Sequence, residues 1–492
     1  MIDFVICIGN GDEQSDLEAK AIAIDYNLAH RGFLDIHTDL IPGCYHTSIY
    51  DIKLLELTTK VAGILDRLKI VVLNQDESFY KNRREYWDTV EMAQAFIDQC
   101  PVEFVNPSMH NSLTHSLKNN KSFCIAPFVS LKDNEKHCCY MKHFDSPYTN
   151  FYTDPSSVKM RQQMLAGEKT DLCQKCYRYE QFGAASPRQG LTRDWIYRLN
   201  LKSYEDVIKH TQLVSYEIFL GNYCNLQCRM CDPASSSLID SEYAELGLST
   251  EKFGIVTHNF LDTVDLDTVQ QLIVTGGEPS INPEFYNFLK HCIQIKKTDF
   301  EIQMSTNGVS LTKEFMSLIR QFTNVKISIS VDGVDRTNQY IRWPTNWEKW
   351  KKNIQTLIES IAPHNYHFST TLSIYNISQL YPLYEFLDQT YPTALFDISQ
   401  VETPSNQQAW NFPNKQLVLD SLNQIKTLKK YHSDEFFNSK INGIVRRIET
   451  SKIDVDQLAE FFQFNDILDQ SRNIRLTDYI PELAQCRSQL PG

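Results

Sequence analysis

The chain has 492 residues, of which 42% are apolar and 22% charged. That balance is globular and excludes a disordered or fibrous chain, and 17 glycines beside 18 prolines exclude a collagen-type repeat. Acidic residues outnumber basic ones by 61 to 48, a net charge of −13. This weighs against a life on nucleic-acid phosphates, so nucleic acid is not an expected partner.

Met1–Cys7 is apolar but too short for a signal peptide, and no small-residue cleavage site follows it. No apolar run reaches the ~18 residues of a membrane span. The expectation is a cytoplasmic protein without a membrane partner. Phe4–Ile8 reads as a buried strand, closed by a Gly9-Asn10-Gly11-Asp12 turn that lacks the spacing of a dinucleotide fingerprint. Leu17–Arg31 and Met92–Cys100 read as helices, and Ile70–Leu73 and Val102–Val105 as strands. Residues 1–118 are therefore a small α/β domain with a parallel sheet. Residues 119–212 change character. They hold five cysteines, many polar and turn residues and few long periodic stretches. Such a segment needs an external staple, which a metal centre supplies.

Residues 213–405 return to strand–helix alternation. The strands are Ser215–Leu220, Gln271–Thr275, Phe300–Ser305, Val325–Val331, His367–Ile374 and Ala394–Ser399. Helices fill the gaps, as at Asn282–Ile295, Thr312–Phe322, Trp347–Ile361 and Ile377–Gln389. Six such units predict a partial barrel. Residues 406–492 read as mostly helical and polar.

The 13 cysteines are an odd number in a chain without a signal peptide. Reducing conditions disfavour disulfides, so clustered thiols point to metal ligands. Cys224, Cys228 and Cys231 lie in one short loop after the first barrel strand. Three thiolates at these spacings bind three irons of a [4Fe–4S] cluster and leave the fourth open to a small chelating molecule. A structural zinc ion needs four ligands, and no histidine or further cysteine lies near in sequence, although a distant one can join. Some 45 residues on, Gly276-Gly277-Glu278-Pro279 caps the strand Gln271–Thr275. Two glycines at a strand end let backbone approach a ligand closely, and Glu278 can accept hydrogen bonds from an ammonium group.

This combination resembles the radical S-adenosylmethionine (SAM) enzymes, whose signature is three cysteines at these spacings followed by a Gly-Gly-Glu-Pro motif. Ser305-Thr306-Asn307-Gly308, Ser328–Gly333, Tyr340-Ile341-Arg342 and Trp347 match in order, so the resemblance covers about 190 residues. It implies a partial (β/α)6 TIM-like barrel, a SAM-binding [4Fe–4S] cluster on Cys224, Cys228 and Cys231, and an electron donor of flavodoxin or ferredoxin type. It implies reductive cleavage of SAM to a 5′-deoxyadenosyl radical that abstracts a hydrogen atom from substrate. It places Gly276, Gly277, Glu278 and Pro279 at the methionyl amino group and Ser305 and Asn307 near the ribose or methionyl part. Arg342 would neutralise the carboxylate, or else is a surface arginine.

Cys124, Cys138, Cys139, Cys173 and Cys176 form a second group. Cys173 and Cys176 suit one metal. Cys124 and one of the adjacent pair complete four ligands, with Cys139 favoured and Cys138 the alternative. With Pro127, Phe128 and the closing Cys-x-x-Cys, the segment is similar to the SPASM and twitch modules, which implies one auxiliary [4Fe–4S] cluster. Those modules usually follow the barrel, whereas this segment precedes it. Zinc is the alternative occupant, since four thiolates suit it too.

Elsewhere the plainer readings hold. Cys292 belongs to a helix core, as Cys7 does to a strand; Cys486 reads as a free surface thiol, ahead of an extra ligand or hydrogen-atom donor. Tyr45–Tyr50 is a polar–aromatic patch, and Lys81–Arg84 and Lys349–Lys352 are solvated basic runs. The resemblance makes a peptide or protein side chain the expected substrate. The alternatives are a nucleotide or RNA substrate and, from another class, a zinc-stapled binding protein without redox chemistry.

Overall fold

Alternation along the strands explains the larger sheet. In the strand Asn324–Ser330, Val325, Ile327 and Ile329 are buried, while Lys326, Ser328 and Ser330 between them stay half-buried. Tyr366–Leu372 repeats the pattern. With side chains alternating between faces, one face of the sheet is apolar and packed and the other polar and partly open.

The computed structural model describes four strands in the first 119 residues, and from residue 120 to 489 all but short stretches. The longer of these are 139–140, 142–149, 182–185 and 362–364. The chain divides into two compact units. One comprises residues 1–131 and 135–213, and the other 132–134 and 214–492.

In the first unit, β1 (Phe4–Gly9), β2 (Gly43–Ser48), β3 (Leu68–Leu73) and β4 (Val102–Val105) make a parallel sheet in the order β2-β1-β3-β4. This is the expected parallel α/β sheet. The exception is β2, which carries most of the supposed polar–aromatic patch and pairs with β1 from Phe4↔Gly43 to Gly9↔Ser48. The expected helices Leu17–Arg31 and Met92–Cys100, the turn after Gly9 and the basic run Lys81–Arg84 lie outside the described residues.

The cysteine-rich segment is more helical than its sequence led us to expect. It contains α1 (Pro155–Leu165), α2 (Gln174–Gln181) and α3 (Pro187–Arg198). A cap starts α1 more than periodicity does. Asp154 accepts from the Ser156 and Ser157 amides ahead of α1, with Pro155 in its first turn. The α1 pattern is blurred because Arg161 is buried among Met160 and Met164. Its guanidinium donates to the carbonyls of Pro127 (3.1 Å), Phe151 (3.0 Å) and Tyr152 (2.6 Å).

The second sheet has seven strands. They are β5 (Ser130–Lys132), β6 (Ser215–Phe219), β8 (Gln271–Thr275), β9 (Glu301–Thr306), β10 (Asn324–Ser330), β12 (Tyr366–Leu372) and β13 (Leu395–Gln400), in the order β13-β12-β10-β9-β8-β6-β5. A separate two-stranded ribbon pairs β7 (Gln227–Cys228) with β11 (Arg342–Trp343). From β6 to β13 the pairs are parallel, and helices alternate with them as in a partial (β/α)6 barrel. Among these helices are α4 (Ser237–Leu246), α5 (Pro283–Gln294), α6 (Lys313–Ile319), α7 (Trp347–Ile358) and α8 (Leu380–Thr390). In α5, Phe285, Phe288, Leu289 and Cys292 form the buried stripe, as read from sequence. Helices continue beyond the barrel with α9 (Lys415–Ile425), α10 (Glu435–Thr450) and α11 (Val455–Arg472). Cys486 is buried here, 3% exposed, and donates to the Glu482 carbonyl, so it is not a surface thiol.

The two faces of β10 give a stability test. Ile327→Ala should cost about 2–5 kcal/mol in urea unfolding, as a buried truncation that leaves a cavity. Ser328→Ala, on the open face, should stay within about 0.5 kcal/mol.

Candidate functional site

The three cysteines of the triad sit at the C-terminal end of β6, where open α/β sheets collect their ligands. The intervening Gly221–Tyr223 turn is held by Asn222, which is fully buried. Its Nδ2 donates to the Pro233 carbonyl (3.1 Å) and the Gly254 carbonyl (2.9 Å), and its Oδ1 accepts from the Val256 amide (2.8 Å). The loop then pairs briefly with β11, placing Cys228 opposite Arg342. Cys224, Cys228 and Cys231 keep part of their surface open. They still lie deep enough for burial to push the Cys224 thiol up to about 12 and to raise Cys228 and Cys231. Repulsion adds to this, with Cys228 acting on Cys224, and Cys228, Asp232 and Cys224 acting on Cys231. Arg342 opposes the rise at Cys228. Three thiolates crowded this way require positive charge among them, which fits a metal cluster. Among the described residues, no three Cys, His, Asp or Glu side chains are placed to share one metal ion. A four-iron cluster instead takes each thiolate on its own iron.

The Gly-Gly-Glu-Pro turn lies directly against this loop. Gly276 has φ +88° and Gly277 φ +49°, both in the left-handed region. A Cβ on Gly277 would stand 2.2 Å from the Tyr223 carbonyl oxygen. The close approach predicted for these glycines is therefore made to the cysteine loop's own backbone. The Glu278 amide completes it by donating to the same Tyr223 oxygen at 2.9 Å.

The Glu278 side chain has a role the sequence did not show. It is 1% exposed and accepts three hydrogen bonds. These come from the Ser280 amide (3.0 Å), the Thr306 hydroxyl (2.7 Å) and the Asn307 amide (2.6 Å). Burial raises its pKa, and these donors oppose the rise. Pro279 opens the short 3₁₀ turn that Glu278 caps. Asn307 then reaches back, its Nδ2 donating to Asn225 Oδ1 in the cysteine loop at 2.7 Å, while Asn225 donates to the Ser310 hydroxyl at 2.9 Å. The ends of β6, β8 and β9 are thus closed into one hydrogen-bonded ring. Asn225, between the first two cysteines, was not singled out from sequence; its adjacency to Cys224 was the available signal.

Arg342 is no surface arginine. Its side chain is 12% exposed and pairs with the fully buried Asp332 at 2.5 Å. Asp332, in the Ser328–Gly333 motif, also accepts from the Thr371 amide at 2.7 Å. Ser305, at the end of β9, is exposed.

In the other unit, Cys124, Cys173 and Cys176 are buried and Cys138 is half-buried. Burial, then the charges of Cys173 and Cys176, push Cys124 up to about 12. Burial, then Cys138 and Cys176, do the same to Cys173. The four thiols are therefore electrostatic neighbours. Cys139, favoured from sequence, lies outside the described residues. Arg188 sits by the group, its guanidinium donating to the Phe123 carbonyl and pairing with Glu180 at 2.6 Å.

Residues 218–387 match the family model of the radical SAM superfamily. The chain carries a radical SAM domain. The matched stretch takes in the cysteine loop, the Gly-Gly-Glu-Pro turn and the ends of β9, β10 and β12. The sporulation killing factor maturation protein SkfB of Bacillus subtilis is 27% identical over 152 residues, which are 30% of this chain and 34% of SkfB. The mycofactocin maturase MftC of Mycobacterium tuberculosis is 26% identical over 135 residues, 27% of this chain and 32% of MftC. The chain thus matches about a third of the length of these curated relatives. Among solved structures, Streptococcus suis SuiB bound to S-adenosylmethionine is similar with a TM-score of 0.30 and 12% identity, covering 58% of this chain and 52% of SuiB. Among the described residues, no helix is long and apolar enough to cross a membrane.

The Glu278 bonds predict a stability effect without any ligand. Glu278→Ala should leave three buried donors unpaired, at about 1–3 kcal/mol each for a group left unsatisfied. A clear drop in the melting temperature of metal-free protein checks this. An unchanged melting temperature would return Glu278 to a purely ligand-binding role.

Proposed function

We propose that the chain is a radical SAM enzyme that uses a 5′-deoxyadenosyl radical to take a hydrogen atom from a peptide or protein side chain. The observation that carries this reading is the ring joining the cysteine loop, Glu278 and Asn307 at one end of the parallel sheet. It brings motifs more than 80 residues apart to the place where this fold family does its chemistry.

In this reading Cys224, Cys228 and Cys231 would hold a [4Fe–4S] cluster with one iron left for SAM. The cluster with SAM would supply one-electron reductive cleavage of the sulfonium, the source of the hydrogen-abstracting 5′-deoxyadenosyl radical. The electron comes from a flavodoxin- or ferredoxin-type donor. The chain's residues hold and orient these groups. The exposed Ser305, with the half-buried Gly276–Gly277 backbone, would meet SAM. Glu278 and Asn307 spend their side chains fixing the turn and loop, and Arg342 keeps positive charge beside the Cys228 thiolate. Because the thiols are held protonated by burial and repulsion, cluster uptake releases protons and should weaken as pH falls.

The second centre is an auxiliary [4Fe–4S] cluster on Cys124, Cys138, Cys173 and Cys176. Cys138, the alternative of the adjacent pair, is named here because its charge acts on Cys173, while Cys139 lies outside the described residues. A peptide substrate is supported by the names of the two relatives, a maturation protein and a maturase. The half-open polar face of the sheet, with Gln303, Ser328, Ser330, Ser369 and Thr371, suits a polar chain that bonds through its backbone. The −13 charge favours a peptide over RNA.

The test is iron and sulfide content with electron paramagnetic resonance, on anaerobically reconstituted protein with and without SAM. About eight irons per chain are expected, with one reduced signal perturbed by SAM. Replacing Cys224, Cys228 and Cys231 with alanine should abolish 5′-deoxyadenosine formation; its persistence would refute the assignment. Replacing Cys173 and Cys176 should remove about half of the iron and spare the SAM-sensitive signal. Full iron retention would count against the auxiliary centre.

A further inference from the structure

The cysteine loop contains a charge that ligation does not require. Arg229, between Cys228 and Cys231, is fully buried. Its Nε donates to the Tyr340 carbonyl (3.0 Å), Nη1 to Asn465 Oδ1 (2.6 Å) and Nη2 to Asp469 Oδ1 (2.5 Å). The guanidinium lies over the Tyr340 ring at 3.6 Å, and the Tyr340 hydroxyl donates to the same Asp469 oxygen at 2.9 Å. The Arg229 carbonyl accepts from Gln407 Nε2 at 2.9 Å. Asn465 also accepts from the Tyr375 hydroxyl (3.0 Å), and the second Asp469 oxygen accepts from the Leu476 amide (2.7 Å).

Asn465 and Asp469 are one turn apart on α11, 236 and 240 residues from Arg229. The radical SAM match ends at residue 387, so this support comes from beyond the matched domain. The same helix ties down the element after the loop, for Arg472 makes a two-bond pair with Glu242 on α4, at 2.8 and 2.6 Å. The first half of the loop is tied to the strand ends through Asn225, and the half around Arg229 through the β7–β11 pairing, the Arg229 amide on the Ile341 carbonyl (2.8 Å) and the bonds to α11. A loop whose ligands are to be preset needs support along its whole length, and α11 supplies it on the Arg229 side.

We propose that helix α11 is a brace that presets the cysteine loop for its cluster, with Arg229 as the positioning residue through which it acts. The cluster part rests on the reading above, but the bracing is testable without iron. An arginine serving three acceptors in different directions is not replaced by lysine, whose single ammonium lacks the planar fork.

Hydrogen–deuterium exchange on metal-free protein is the first measurement. In Asp469→Asn and in Arg229→Lys, amides in the 221–232 peptide should exchange about tenfold faster, while peptides of β9, β10 and β12 keep wild-type rates. The double variant should be no worse than the more affected single, since both changes cut one interaction. A second measurement uses the Cys173→Ala, Cys176→Ala background, so that iron reports the triad alone. Adding Asp469→Asn should there cut iron per chain at least about twofold and broaden the SAM-perturbed resonance signal. Unchanged exchange in both single variants, or faster exchange spread evenly over all peptides, would overturn the brace. Wild-type protein that takes up no iron would sink the radical SAM reading instead and leave the exchange result to stand by itself.

Discussion

The Glu278 carboxylate is the point on which the site's geometry depends. A carboxylate that is 1% exposed is unfavourable unless its oxygens are bonded, and here they take three donors, two of them from the end of β9. Its own amide is bonded to the Tyr223 carbonyl just before Cys224. One residue thus fixes the distance between the strand that ends in the cysteine loop and the two beside it. The two glycines before it let that happen, because any side chain on Gly277 would collide with the Tyr223 backbone. The motif is a joint in the chain before it is a surface for a ligand.

Buried ion pairs repeat the same logic farther out. Arg342 with Asp332, Arg229 with Asp469 and Arg472 with Glu242 each place a guanidinium and a carboxylate within 2.6 Å, with one or both side chains almost without exposure. Such pairs are weak as sources of net stability, since desolvation offsets most of their attraction. They are costly to break, however, so each fixes one arrangement of the elements it joins. All three touch the cysteine loop or the helix that follows it. The chain spends buried charge where position has to be exact to a fraction of an ångström.

How much of this was legible follows the same division. The six barrel strands were readable to within two residues at either end, because apolar alternation is a local signal. The motif segments were found where the structure brings them together. β2 was missed because Tyr45, His46, Thr47 and Ser48 lack an apolar rhythm, as an edge strand can. α1 was missed because a buried arginine interrupts its apolar stripe. The partners of Glu278, Arg342 and Arg229 were invisible for a different reason. A buried carboxylate or guanidinium looks like a surface one in sequence, and apart from the Ser280 amide these partners lie between 10 and 240 residues away.

That difference bears on what the site offers a ligand. Glu278, Asn307 and Arg342 were read as side chains that grip SAM, yet each already has a partner inside the protein. A side chain so engaged holds a ligand only by giving up a bond or by using capacity left over. Ser305 by contrast is exposed at the end of β9, and Gly276 and Gly277 are half-buried beside it in the sheet. The charged and amide side chains of the motifs are therefore committed to holding the cysteine loop, the Gly-Gly-Glu-Pro turn and the strand ends in register.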